Sequence, residues 1–194
     1  MLDYPPGATP VDADEASALI PGHITTREDL NEWEQANIAT ATVWVRRTSA
    51  DSFLPETVTG LHRRMFDRTW EWAGEFRNSD KNIGVPKEQI GEELKKLLDD
   101  ARYWLEHETY PAREAALRLH HRMVWVHPFP NGNGRHARLW VDLVVRQAGG
   151  PAIAWGGRLG QAGAMRRQYI AALEAADKGD YAPLLTLYPV ECAT

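Results

Sequence analysis

The chain has 194 residues, 43 % hydrophobic and 25 % charged, the balance of one globular domain with room for an appended arm. A net charge of −5 argues against broad DNA or RNA binding, which needs a basic face. The lone cysteine, Cys192, excludes an internal disulfide, and the most apolar run, residues 139–145, is short and holds Asp142, so no membrane span is expected.

Residues 1–22 hold four prolines and two glycines without a sustained period, and predict an extended arm before a single domain over 23–194. This start has neither the basic region nor the apolar core of a signal peptide, so a soluble cytoplasmic protein is expected. Thr25 with Glu28 predicts a capping box opening a helix over about 26–47, with Leu30, Trp33, Asn37 and Ile38 near one face and Trp44 further along. Pro55 and the spacing of Val58, Leu61, Met65 and Phe66 predict a second helix over about 55–72. In "EFRNSDKNIGV", Phe76, Asn78, Ile83 and Val85 flank a polar centre, which predicts a short β-hairpin or irregular flap.

Pro86 opens a predicted helix over about 87–107, with Ile90, Leu94, Leu97, Leu98, Ala101 and Leu105 apolar. Pro111 opens another over about 112–126, striped by Ala116, Leu119, Met123 and Val126. A further helix over about 134–148 carries Ala137, Trp140, Val141, Val144, Val145 and Ala148 at helical spacing, and Gly149 and Gly150 stop it. Helices over about 158–177 and 180–188 follow. The fold class is therefore all-α with one small hairpin, and the eight tryptophans belong to the core and to half-exposed positions.

Between the helices at 112–126 and 134–148 lies "HPFPNGNGRHAR", His127 to Arg138. Gly132 and Gly134 let backbone approach a ligand closely. The loop runs into a helix N-terminus, where unpaired N–H groups and the helix dipole favour an anion. Arg135 adds a planar guanidinium suited to phosphate oxygens. His127, just before the loop, is placed to take a proton from an attacking hydroxyl. The residues alone leave two readings open: a phosphate cradle with a base, or a plain connection in which Asn-Gly pairs make turns. No Walker A spacing is present. His120, His121, His127 and His136 lack the spacing and the cysteine partners of a zinc site, so none is expected.

At these residues the chain resembles Fic-domain proteins, whose signature is H-x-F-x-[D/E]-G-N-G-R-x-x-R. His127, Phe129, Gly132, Asn133, Gly134, Arg135 and Arg138 fall in register, and Asn131 departs. "WEWAGEFRNSDKNIGV" resembles the approach to the target-docking flap of that family, and with "HITTREDLNEWEQANI" the chain resembles its mobile mystery protein B subgroup, over about 20–190. The resemblance implies a Fic-type helical fold and transfer of AMP from ATP, with Mg²⁺, to a Ser, Thr or Tyr hydroxyl of a target protein. It implies that His127 is the general base and that Phe129 anchors the loop. Gly132, Asn133 and Gly134 would then form the anion hole for the inner phosphates, Arg135 would bind the outer ones, and Arg138 would also belong to the phosphate-binding set. The flap, Asn78, Ser79, Asp80, Lys81, Asn82, Ile83, Gly84 and Val85, would pair with an extended target segment by strand addition.

Asn131 stands where the family's acid helps to hold Mg²⁺, so weakened metal binding is expected. Some relatives transfer phosphate instead, and a weakly active Fic scaffold that binds a partner is a further alternative. Many relatives carry an inhibitory glutamate that pairs with the second arginine of the signature. Glu34 is the nearest candidate, ahead of Glu32, and Arg138 its expected partner. The subgroup also implies a helix-turn-helix companion protein encoded nearby. The target protein and the oligomeric state are not legible.

Overall fold

The computed structural model describes residues 12–155 and 164–188. Cys192, residues 1–11 of the expected arm and residues 158–163 of the expected helix lie outside the described residues. The order is α1 (Ala13–Ser17), α2 (Arg27–Arg47), α3 (Pro55–Phe66), a 3₁₀ turn (Lys87–Gln89), α4 (Ile90–Glu106), α5 (Ala112–Val126), α6 (Asn133–Gln147), α7 (Ala164–Ala176) and α8 (Ala182–Leu187). α6 is the hub. It packs against α5 on one side and against α2 and α3 on another. Its apolar face is broad: Ala137, Leu139, Trp140, Val141, Leu143, Val144 and Val145 are buried, while Arg135, Arg138, Asp142 and Arg146 form a polar stripe at helical spacing. Trp140 is fully enclosed, and its indole N–H donates to the Ser52 carbonyl at 2.9 Å.

Two of the helix boundaries that differ from the sequence expectation, and one unexpected helical turn, have local reasons. The N-cap of α2 is Thr26, whose hydroxyl accepts from Asp29 N at 3.1 Å, one residue beyond the expected Thr25. α3 stops at Phe66 instead of running to 72. Asn37 of α2 ends it: the side chain donates to the Arg64 carbonyl at 3.1 Å and accepts from Arg68 N at 3.1 Å, replacing the next helical bonds. The residues beyond are drawn toward the N-terminal segment, where Leu19 and Trp70 form an isolated antiparallel bridge. Within the expected extended arm, Ala13–Ser17 winds into one helical turn, and Glu15 Oε2 accepts from Asp12 N at 2.8 Å.

The expected β-hairpin is absent. Residues 78–85 form bends, and no strand occurs among the described residues. The reason is chemical. The carbonyls of Ser79 and Val85 are taken by the guanidinium of Arg77, which leaves no ladder to form. Tryptophans divide as expected: Trp70, Trp72 and Trp140 are buried, while Trp33 and Trp125 are exposed.

Candidate active site

His127 ends α5 in the left-handed region, φ 52 and ψ 58. That conformation is uncommon for a residue with a Cβ and is held from outside. Arg77 Nε donates to the His127 carbonyl at 2.7 Å, and Arg77 N donates to the Pro128 carbonyl at 2.9 Å. His127 Nδ1 lies 3.3 Å from the Val124 carbonyl. A carbonyl only accepts, so Nδ1 carries the proton and the neutral ring has its lone pair on Nε2. The residue is 4 % exposed. Burial pushes its pKa down to about 4, the Val124 bond resists, and the charges of Arg77 and Lys81 add to the fall. His127 is thus neutral at pH 7, the state a general base needs.

The loop after His127 is fixed by side chains that bond its backbone. Asn133 Oδ1 accepts from Phe129 N at 2.9 Å, and Asn133 Nδ2 donates to the Phe129 carbonyl at 2.7 Å. The Asn133 side chain therefore braces the loop, and only its backbone N–H is left for the anion role expected of it. Phe129 is fully buried and stacks on His62, ring centroids 3.7 Å apart. His62 accepts from Gly74 N at 2.9 Å on Nδ1, so its Nε2 carries the proton and donates to the Asn131 carbonyl at 3.1 Å. Gly132 caps α6 at φ +79, and a Cβ there would lie 2.5 Å from Phe66 Cζ. Only glycine fits both demands. The N–H groups of Asn133, Gly134 and Arg135 follow in the first turn of α6, where no helix supplies its own acceptors.

Arg135 meets Glu34. Nη1 lies 2.6 Å from Glu34 Oε2, and Trp70 Nε1 donates to Glu34 Oε1 at 2.8 Å. The Glu34 side chain is 6 % exposed and the Arg135 side chain 26 %. This corrects the expected pairing with Arg138, three residues further along α6. Arg138 instead acts electrostatically on His120, Asp142 and Tyr169. Asp142 is pushed up to about 6 by burial, against the Trp155 indole that donates to it at 2.6 Å and against the Arg138 charge.

The flap lies against His127. Gly84 has φ +101, and a Cβ on it would sit 2.6 Å from His127 Cβ. Val85 is buried, whereas Phe76 and Ile83 are exposed. Asn78 accepts from Lys87 Nζ through its carbonyl at 3.0 Å, and Asp80 Oδ1 accepts from Lys87 N at 2.9 Å. Ser79 and Lys81 both reach Asp12, at 2.7 Å each. Asn82 sits on the bend between Lys81 and Ile83.

Arg77 and His62 escaped the sequence reading. Arg77 stands one position outside the flap with no spacing to mark it, yet its side chain is wholly buried. His62 left a signal, a polar residue inside the apolar stripe Val58, Leu61, Met65.

The residues present do not fit a Mg²⁺ ion held by the protein. Asn131 offers one neutral carbonyl oxygen, which already accepts from Gly132 N at 2.7 Å and lies 3.5 Å from Arg135 Nη2. A hard cation prefers carboxylates and is repelled by a neighbouring guanidinium. Among the described residues no group of three or more His, Cys, Asp or Glu could hold a metal. An anionic phosphate does fit the start of α6, with the Arg135 guanidinium beside it.

A neutral histidine heads a braced, glycine-capped helix start, a geometry that suits a phosphate beside a base. The Fic/DOC family model matches residues 52–145, so that stretch is a Fic/DOC domain. A protein adenylyltransferase from Caenorhabditis elegans, fic-1, is 31 % identical over 143 residues, covering 70 % of this chain and 26 % of that protein. Protein adenylyltransferase Fic of Drosophila grimshawi is 31 % identical over 130 residues, covering 64 % and 26 %. The chain thus spans about a quarter of the length of these relatives. Among solved structures, Fic-1 (residues 134–508) of C. elegans superposes with a TM-score of 0.67 at 26 % identity, covering 89 % of this chain and 51 % of that one. BepC of Bartonella tribocorum, solved with bound AMPPNP, superposes at 0.68 with 20 % identity, covering 93 % and 100 %. At that identity the likeness to BepC is one of fold.

Proposed function

We propose that this protein transfers AMP from ATP to a hydroxyl of a target protein. The observation that carries the reading is His127: neutral at pH 7, its proton on Nδ1, at the head of a loop that runs into the N-terminus of α6. The names of the relatives, protein adenylyltransferases, support AMP as the group moved. In this reading the target hydroxyl gives its proton to His127 Nε2 as its oxygen attacks the α-phosphorus. The new P–O bond forms as the bond to pyrophosphate breaks. The backbone N–H groups of Asn133 and Gly134 hold the phosphate oxygens, joined by that of Gly132 once it releases Asn131 Oδ1, and Arg135 neutralises charge on the phosphates. Residues 78–85 hold the target segment over His127, and Phe129 and Asn133 keep the loop in shape.

Glu34 restrains the enzyme by holding Arg135, so nucleotide has to compete with a carboxylate already in place. Asn131 would give Mg²⁺ one neutral oxygen and no carboxylate, so weakened metal binding is part of this reading. Membership of the mobile mystery protein B subgroup, a helix-turn-helix companion and a cytoplasmic location belong to the same reading. Among the described residues no helix is long and apolar enough to cross a membrane.

The test is labelling of protein in a lysate of the native host by ATP radioactive at the α-phosphate. Glu34→Gly raises the label and His127→Ala removes it. Label arriving only from the γ-phosphate replaces this reading with phosphate transfer. The Glu34–Arg135 pair and Asn131 together favour one second reading, a weakly active scaffold. Absence of ATP binding by calorimetry, even in Glu34→Gly, decides for it.

A further inference from the structure

The outer side of the flap is already taken. Lys81 Nζ lies 2.7 Å from Asp12 Oδ2 and 2.7 Å from Glu15 Oε2, and Ser79 Oγ donates to Asp12 Oδ2 at 2.7 Å. The Lys81 side chain is 3 % exposed and that of Glu15 9 %, so this half of the clasp is buried, while Asp12, 51 % exposed, closes it at the rim. The bonds from Lys81 and Ser79 hold the Asp12 carboxyl below its usual range. Backbone bonds extend the attachment. Ile20 N donates to the Thr69 carbonyl at 2.9 Å, Glu71 N to the Ala18 carbonyl at 3.0 Å, and Trp72 Nε1 to the Glu15 carbonyl at 3.1 Å.

We propose that the outer side of the flap is a receptor for an acidic segment with carboxylates three residues apart, that Asp12 and Glu15 of this chain are its resident occupants, and that a target must displace them. This rests on the reading of residues 78–85 as the target-docking flap. The geometry makes displacement consequential. Residues 77–85 connect the clasp to His127 through Arg77, which bonds the His127 carbonyl, and through Gly84, which packs on the His127 Cβ. A flap freed at Lys81 loses the tie that presses it on the base. A buried ammonium left without its carboxylates also leaves for water, and carries the flap with it. The contact is separate from the Glu34–Arg135 pair, since it occupies the flap and not the phosphate loop.

The experiment uses the full chain carrying Asp12→Asn with Glu15→Gln, and separately Lys81→Met, each checked for native circular dichroism. Amide exchange of residues 78–85 and carbethoxylation of His127 are read by mass spectrometry, with exposed His23 and His107 as internal standards. Both variants exchange at the flap at least about tenfold faster than the parent and modify faster at His127 alone. A peptide of residues 12–20, supplied at millimolar concentration, restores the slow exchange in Asp12→Asn/Glu15→Gln, and its Asn/Gln counterpart does not. Unchanged flap exchange in both folded variants, or failure of the acidic peptide to restore protection, overturns the proposal. None of these readings involves ATP, so they stand or fall apart from the AMP-transfer assay.

Discussion

Two loops meet at His127, and they are held by different physics. The segment from Phe129 to Gly132 is fixed from beneath by neutral groups: Asn133 bonded to Phe129, His62 bonded to Asn131, and a buried ring under Gly132. The flap is fixed by charges: Arg77 on four backbone or carboxylate oxygens, and Lys81 between two carboxylates. Neutral packing gives a site of constant shape. Charged clasps hold a surface that another charged chain can compete for. The difference teaches that rigidity belongs to the loop that follows the histidine and exchangeability to the flap proposed to meet a partner.

Acid strikes the first half hardest. His127 and His136 titrate near 4 when folded and near 6.5 when unfolded, both chiefly through burial. Between those values the unfolded chain takes up protons that the folded one refuses. Stability is therefore full above pH 6.5 and falls by about 3 kcal/mol for each ring as pH drops toward 4. Urea titrations from pH 7 to 4.5 measure this. A stability that stays flat over that range contradicts a buried neutral His127.

Arg77→Met attacks the join between the two halves. It leaves the carbonyls of His127, Ser79 and Val85 without their donor. A loss of about 4 kcal/mol is expected, read as a lower denaturation midpoint at unchanged slope. A change below about 1 kcal/mol means that the flap is held by something other than this guanidinium.

The same steric insult sharpens the contrast. Gly132→Ala drives a methyl into the Phe66 ring at a positive φ and is expected to cost about 3 kcal/mol. Gly84→Ala meets His127 just as closely, but the flap can lift, so about 1 kcal/mol is expected, with faster exchange over residues 78–85. Equal costs erase the distinction between the two loops. The smallest effect belongs to neither loop. Asp142→Asn removes a carboxyl that burial keeps near 6 and retains an acceptor for Trp155, so stability at pH 7 changes by less than about 1 kcal/mol or rises.

The sequence disclosed the neutral half well and the charged half poorly. α5 falls on the residues its apolar stripe predicts, and α6 begins one residue early, because side-chain period and Pro or Gly punctuation are local properties. Phe129 announces its burial, and Gly132 its positive φ, by type and spacing. Glu34 was visible as a candidate, but its partner was not. Arg135 and Arg138 stand one helical turn apart, and only the approach of α2 to α6 chooses between them. The flap's alternation suggested a hairpin because sequence shows which residues could pair, not which carbonyls a distant arginine has already taken. Nothing in the arm advertised Asp12 and Glu15, since an acidic pair near a chain's start resembles ordinary solvated charge.

Arg77 and Gly84 divide the flap in a way that bears on redesign. Its inner edge, Arg77, Gly84 and Val85, is geared to the histidine, so any side chain altered there alters the base as well. Its outer positions, Asn78, Asn82 and Ile83, are exposed. Under the proposed docking role, a library randomised at those three positions explores target sequences with the inner edge intact, whereas one that includes residues 77 or 84 disturbs His127 as well.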